Sequence, residues 1–442
     1  MSARSMILNL FFYNPQGDYR FSWRHPDAPE KEIFTLDFYA DLARQAEAAK
    51  LDAIFVADHV AIWDSIPSGV THYANARLEP LTLLSALAAV TKHIGLMGTA
   101  SSSYNEPYNI ARYFASLDFL SNGRASWNVV TSWQAEEAAN FGLTTVPKHD
   151  ERYQRADEFI RVVTALWQSW QEDAILYHKQ SGHFAAADKV NPIHHQGDFF
   201  NVRGPLTVPR PPQGQPLIVQ AGSSEAGKTL ATRYADLHFT FVRTIEEGLA
   251  YRADINHRLA QVGRTPESFK IIAGVLPIVV ESDEELRQRE ALIDGLVPDE
   301  MAIDLVSSYT GLDLRQFDPD QPLPPLPESD NFDGIRTHLE QVRQYDPTLS
   351  IRELGRRLLK SDSAWTVAGN AEFVADRLTE MFQSGAADGF NLMFPLLPGD
   401  FTRFTEQVVP LLQQRGVFHQ AYPPGTLRDR LGLSLPQPTL KA

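Results

Sequence analysis

Residues 222–229, GSSEAGKT, carry the glycine, lysine and hydroxyl spacing of a phosphate-binding P-loop, G-x-x-x-x-G-K-[ST]. They follow the apolar run PLIVQA (216–221) and open the helix-like KTLATRYA. Small residues between a strand and a helix present free backbone N–H groups, so the loop suits an anion such as phosphate. Nucleotide hydrolysis needs more: an acidic residue ending a neighbouring strand to hold Mg2+, and a group to place water. Asp236 precedes the next apolar run instead of ending it, so hydrolysis is not expected. Lys228 is then expected to be a first-turn helix residue facing water.

Other polar residues stand at the ends of apolar runs. Asp58 and His59 follow AIFVA (53–57), Thr99 and Ser101 to Ser103 end IGLMGTA (94–100), and Asn128, Thr131 and Ser132 end ASWNVV (125–130). His149 and Tyr153 lie one helical turn apart. This set is rich in hydrogen-bond donors and poor in charge. It holds no Ser-His-Asp spacing. His183, His194 and His195 lack a third ligand at metal spacing, so no metal is expected. Each residue also has a plainer reading. Asp58 can cap a loop, and His59 can be a packed rim histidine. Thr99, Asn128 and Ser132 can satisfy backbone groups. His149 and Tyr153 can pack in a first turn. Arg352, Arg356 and Lys360 fall on one helix face, which is either solvated or able to receive an anion.

The elements that must position these residues are legible from hydropathy. Eight apolar runs recur, at 6–13, 53–57, 94–100, 125–130, 216–221, 237–242, 270–280 and 390–395. They are nearly continuous, as strands buried on both faces are. Amphipathic helices lie between them, including 36–50 and 150–170, the second with Asp150 as expected N-cap. Alternating strand and helix imply an α/β fold with a parallel sheet. Eight strands suit a closed TIM (β/α)8 barrel, with an open doubly wound sheet as the alternative. We expect a single domain over 1–442, with long insertions at 171–215 after strand 4 and 281–368 after strand 7. The second is expected to act as a lid, although its Pro-rich stretch 317–334 also reads as a spacer.

Composition narrows the function. With 442 residues, 43% hydrophobic and 21% charged, the chain can bury a large core. Its net charge of −15 argues against nucleic-acid binding through a basic patch. No apolar stretch of about 18 residues exists, so no membrane span is expected. A short apolar run near the N-terminus lacks a cleavage pattern, and a cytoplasmic location is expected. There is no cysteine, hence no thiol nucleophile, thiolate metal site or covalent thioether link to a cofactor.

The stretches RHPD (24–27), LDAIFVADH (51–59), WNVVTS (127–132), KHDERYQRADEF (148–159), QAGSSEAG (220–227) and ADGFNLMF (387–394) resemble the bacterial-luciferase-like flavin monooxygenases. The resemblance spans nearly the whole chain. It is narrowest to the branch that includes nitrilotriacetate, dibenzothiophene-sulfone and long-chain alkane monooxygenases. It implies a barrel that takes reduced FMN from a separate NAD(P)H:flavin reductase and inserts one oxygen atom of O2 into a small organic substrate, as a homo-oligomer. It also implies Asp58 near the flavin ring, Thr99 on the strand-3 rim, and Asn128 and Ser132 on the strand-4 rim. His149, Tyr153, Ser223 and Ser224 would hold the phosphate. The sequence departs from the alkane-oxidising relatives at Trp133, where they carry His, so the resemblance names no catalytic group. Deazaflavin- or nicotinamide-dependent hydride transfer and non-enzymatic flavin binding are the alternatives. A polyanionic deazaflavin tail would need a more basic pocket than this chain offers.

Overall fold

Strands with apolar side chains on both faces must be covered on both, and the chain meets this by curling them into a closed barrel. The computed structural model describes residues 4–326, 346–359 and 364–435. The barrel strands are β1 (Ile7–Phe12), β2 (Ala53–Val56), β3 (Gly95–Ser101), β4 (Ala125–Val130), β5 (Leu217–Gln220), β6 (Leu237–Thr240), β7 (Lys270–Val279) and β8 (Gly389–Met393). Each pairs in parallel with the next, and β8 returns to β1 through Ile7↔Gly389 to Phe11↔Met393. Closure selects the barrel over the open sheet.

Eight helices wrap it: α1 (Leu36–Ala48), α2 (Pro80–Val90), α3 (Pro107–Leu120), α4 (His149–Trp167), α5 (Glu225–Tyr234), α6 (Ile245–Gln261), α7 (Ala371–Gln383) and α8 (Gly399–Gln407). Asn370 caps α7 by accepting from Phe373 N at 2.9 Å. The expected cap of α4 is corrected: Lys148 stands at its N-cap without a side-chain bond. Asp150 lies within the first turn, 3.1 Å from His149 Nδ1, where its charge suits the helix dipole.

Ile7, Phe11, Phe55, Met97, Val219, Phe239 and Met393 fill the barrel. The rings of Phe11 and Phe55 meet edge to face at 5.2 Å. Between strands and helices lie Trp127, Phe159, Trp167 and Phe114, all fully buried. The floor is closed by a later segment, whose Leu427, Leu431 and Leu433 join the interior cluster. Arg428 fixes that segment through a buried ion pair with Asp236, at 2.8 and 2.9 Å.

Between α4 and β5 run two short hairpins, Ile175–His178 with His183–Ala185, and His195–Gln196 with Asn201–Val202. Buried Glu158 of α4 anchors them, accepting from Phe199 N, Phe200 N and His195 Nε2. After β7 come helices Asp283–Leu296, Asp299–Thr310 and Ile351–Leu359. The strand Trp365–Gly369 then pairs with Val275–Val279, the outer half of β7, and was not expected from sequence. Residues 327–334 of the Pro-rich stretch lie outside the described residues. Among the described residues no helix is long and apolar enough to cross a membrane.

Candidate functional site

The carboxyl ends of the strands form the polar rim. Thr99 and Asn128 are register partners on β3 and β4. Thr99 Oγ1 donates to Val56 O at 2.9 Å and accepts from Asn128 Nδ2 at 2.9 Å, tying β2, β3 and β4 together. Asn128 Oδ1 is buried and has no partner. Such an acceptor is costly unless a donor reaches it.

Beyond β4 the chain turns through Ser132, a non-glycine at φ +26°. Its hydroxyl lies 2.9 Å from Ser101 Oγ and 3.2 Å from Glu137 Oε1. Glu137 is buried and also accepts from Val60 N at 3.2 Å, so it joins the β2 and β4 loops. Sequence reasoning missed Glu137. Its signal was the capping-box spacing Gln134-x-x-Glu137, which the helix Ala135–Asn140 uses. Arg152 of α4 holds the same turn, donating to Thr131 O at 3.1 Å and Ser132 O at 2.7 Å.

Asp58 and His59 follow β2, and burial moves their pKa values in opposite directions, each toward the neutral form. Burial raises the Asp58 carboxyl to about 7, against the pull of Arg77. Burial lowers the His59 imidazole to about 4, and Arg77 adds to the effect, so the ring is neutral. His59 bonds to the Tyr13 hydroxyl, and Arg77 lies over the Tyr13 ring at 4.1 Å. His59 is therefore not merely packed. With Tyr13, Trp63 and Trp133 of the rim, and Ser308 and Tyr309 of the second insertion, it lines a cavity of about 390 Å3. The insertion is clasped there by Asp304, which accepts from Ser68 N at 2.9 Å and from Arg315 Nε at 2.7 Å.

The second part of the site lies at the start of α5. Ser224 caps that helix, its Oγ accepting from Gly227 N at 3.1 Å, and donates to the Tyr153 hydroxyl at 3.4 Å. Ser223 is exposed in the same loop, and the His149 ring is 4.8 Å from that of Tyr153. Helix first-turn N–H groups have no intrahelical acceptor, which adds donors here. The glycine spacing has a packing cause. A Cβ on Gly227 would stand 2.5 Å from Gly222 O, so position 227 must be bare for the loop to fold onto the helix, whereas a Cβ on Gly222 would first meet the Gln220 side chain, at 2.4 Å.

Two expectations are corrected. Lys228 does not face water: its Nζ lies 2.9 Å from Asp254 Oδ2 on α6 and 3.4 Å from Glu225 Oε1, and its side chain is 18% exposed. Arg352 and Arg356 form no open basic face. Arg352 pairs with Asp299 and Asp320, and Arg356 with Asp299 at 2.9 Å. Lys360 lies outside the described residues.

The structure thus brings Thr99, Asn128 and Ser132 together around β3 and β4, with Asp58 on neighbouring β2. It brings Tyr153, Ser224, Ser223 and His149 together at α5. Consecutive residues of α4 serve the two groups, Arg152 the first and Tyr153 the second. An orphaned acceptor at one end and a cluster of hydroxyl and N–H donors at the other fit a ligand with a ring N–H and a single phosphate. Among the described residues no three His, Asp or Glu side chains are grouped to hold a metal.

A profile of luciferase-like monooxygenases matches residues 18–388. The chain is similar to N-acetyl-S-(2-succino)cysteine monooxygenase of Bacillus subtilis (strain 168), 43% identical over 98% of each chain. It is also similar to nitrilotriacetate monooxygenase component A of Aminobacter aminovorans, 41% identical over 99% of this chain and 98% of that one. The crystal structure of long-chain alkane monooxygenase superposes with a TM-score of 0.83 at 31% identity, covering 97% of this chain and 96% of that one.

Proposed function

The chain belongs to the luciferase-like monooxygenases and is a flavin-dependent monooxygenase, and from that premise we propose that it is the oxygenating half of a two-component system. It takes reduced FMN from a separate NAD(P)H:flavin reductase and uses O2 to place one oxygen atom on a small sulfur- or nitrogen-containing substrate. The relatives' names point the same way, one to a thioether-linked cysteine derivative and one to an aminopolycarboxylate.

The observation that carries the reading is the Tyr153–Ser224 pair at the start of α5, 3.4 Å apart. Tyr153, Ser223, Ser224 and His149 hold the phosphate, and the donors are of the charge-assisted kind. Asn128 Oδ1 would accept from the ring, with Thr99 fixing the amide. Ser132 and Asp58 would stand beside the ring, with Asp58 only partly ionised near neutrality. Bound reduced flavin supplies the electrons that activate O2. The chain's own work is to orient it, to keep water out beneath the insertion, and to present the neutral His59–Tyr13 pair to the cavity.

Anaerobic titration of the protein with reduced FMN and reduced riboflavin tests this. Tighter binding of reduced FMN, loss of that preference in Tyr153→Phe, and a nearly colourless protein as purified are expected. Equal affinity for both flavins would remove the phosphate assignment, and oxidised flavin retained through gel filtration would remove the two-component reading.

A further inference from the structure

The cavity beneath the insertion has aromatic walls and one cation with unspent donors. Arg20 lines it together with Trp63, Tyr73, Trp133 and Tyr309. The Arg20 guanidinium lies 5.0 Å from the centre of the Trp63 ring. A cation–π contact of this kind uses none of the five guanidinium N–H groups as a hydrogen-bond donor to oxygen. Among the described residues no carboxylate lies within ion-pair reach of Arg20, and no hydrogen bond uses its donors. This is unusual here. Arg24, Arg289, Arg315, Arg352 and Arg356, on the same side of the barrel or its insertion, are each bonded to a carbonyl or a carboxylate.

The charged groups around it favour an anion at this point. Asp18, the nearest acid in sequence, is raised to about 7 by burial, so near neutrality it only partly offsets Arg20. His59 is neutral, and Arg77 behind Tyr13 adds positive potential. Glu136 also lines the cavity, but it belongs to the Trp133–Glu136 segment, whereas Arg20 is held on Trp63. An anion is therefore received at the Arg20 end, and the rest of the ligand meets aromatic walls.

We propose that Arg20 is a specificity-determining residue that pairs with a carboxylate of the substrate, so that among sulfur- and nitrogen-containing compounds the enzyme selects those carrying a carboxylate next to an apolar or thioether body. This rests on the flavin-monooxygenase reading, because it places the substrate in this cavity. A bidentate guanidinium–carboxylate pair in a partly closed site gives both affinity and orientation.

The test is anaerobic calorimetry on the full-length protein saturated with reduced FMN, using (benzylthio)acetate and its neutral isostere (benzylthio)acetamide. The acid is expected to bind about tenfold tighter than the amide, with a preference that shrinks as salt is raised. Arg20→Met should erase that preference while leaving reduced-FMN affinity unchanged, and Arg20→Lys should restore part of it. Equal binding of acid and amide to the parent protein, no binding of either, or a preference that survives Arg20→Met would overturn the assignment. Failure of reduced FMN itself to bind would instead overturn the functional reading beneath it. The acid–amide comparison on the parent decides the matter even where a variant does not fold.

Discussion

Lys228 Nζ lies 2.9 Å from Asp254 Oδ2, so the lysine of a P-loop-like sequence is spent on the neighbouring helix and not on a ligand. A P-loop lysine must reach the phosphates. This one ties α5 to α6, with Arg258 joining Glu225 and Asp254 in the same network. Lys228→Ala should lower stability by about 1 kcal/mol and leave reduced-FMN affinity within about twofold. Mg·ATP should give no heat on titration. Saturable ATP binding abolished by Lys228→Ala would reverse this view of the loop.

Tyr153→Phe removes one hydroxyl and nothing that caps a helix. Reduced-FMN affinity should fall about tenfold to a hundredfold, with riboflavin affinity nearly unchanged. Ser224→Ala should show the same ligand effect plus a stability loss of about 1 kcal/mol, because Ser224 also caps α5. Ser224→Thr should recover the stability. Urea unfolding beside flavin titration separates the two contributions.

Asp58 and His59 make opposite demands on pH. The Asp58 carboxyl titrates near 4 when unfolded and about 7 when folded, so its contribution is present below about 4 and lost as pH rises to about 7. The His59 ring, ordinarily near 6.5 and here about 4, contributes stability above about 6.5 that is lost as pH falls to about 4. Between these limits the slopes oppose each other. Asp58→Asn should leave the His59 slope exposed, so its gain in stability over the parent grows from acid pH up to about 7 and then levels off. Denaturant unfolding from pH 4.5 to 8 reads this, and a gain independent of pH would show that Asp58 ionises normally.

Asp304 clasps the second insertion to the β2 loop through Ser68, and Arg315 of the same insertion holds its carboxylate in place. Asp304→Ala leaves four donors of Ser68 and Arg315 unanswered and should loosen the helix Asp299–Thr310 over the cavity. The expected result is a barrel that still binds reduced FMN but yields several-fold more hydrogen peroxide per O2 consumed, with new cleavage sites near 299–316. Unchanged coupling of O2 use to product would make the insertion a spacer.

The strands were legible because burial on both faces writes itself as an unbroken apolar run. FNLMFP and KIIAGVLPIVV could hardly be anything else. The strand Trp365–Gly369 hid because its outer face is exposed and it pairs beyond the barrel, with alternating burial too short to read. Hydroxyls at strand ends were visible by position alone. What each one touches was not, since Glu137 reaches the rim from a helix that follows the strand, and Lys228 finds its partner on α6. Arg20 left no pattern at all. A guanidinium with no acid partner among the described residues is defined by what fails to surround it, and the surrounding groups come from segments far apart in sequence.

The floor of the barrel also bears on how the chain is made. Leu427, Leu431 and Leu433 reach the interior only after every strand has been synthesised, and β1 must wait for β8 before its second edge is covered. A ribosome-bound chain that already contains seven strands therefore presents an open sheet edge and an uncapped apolar end. Chaperones that shield such surfaces have their longest opportunity during elongation, and premature termination between 394 and 427 should send the product to aggregation or proteolysis instead of leaving a shortened enzyme.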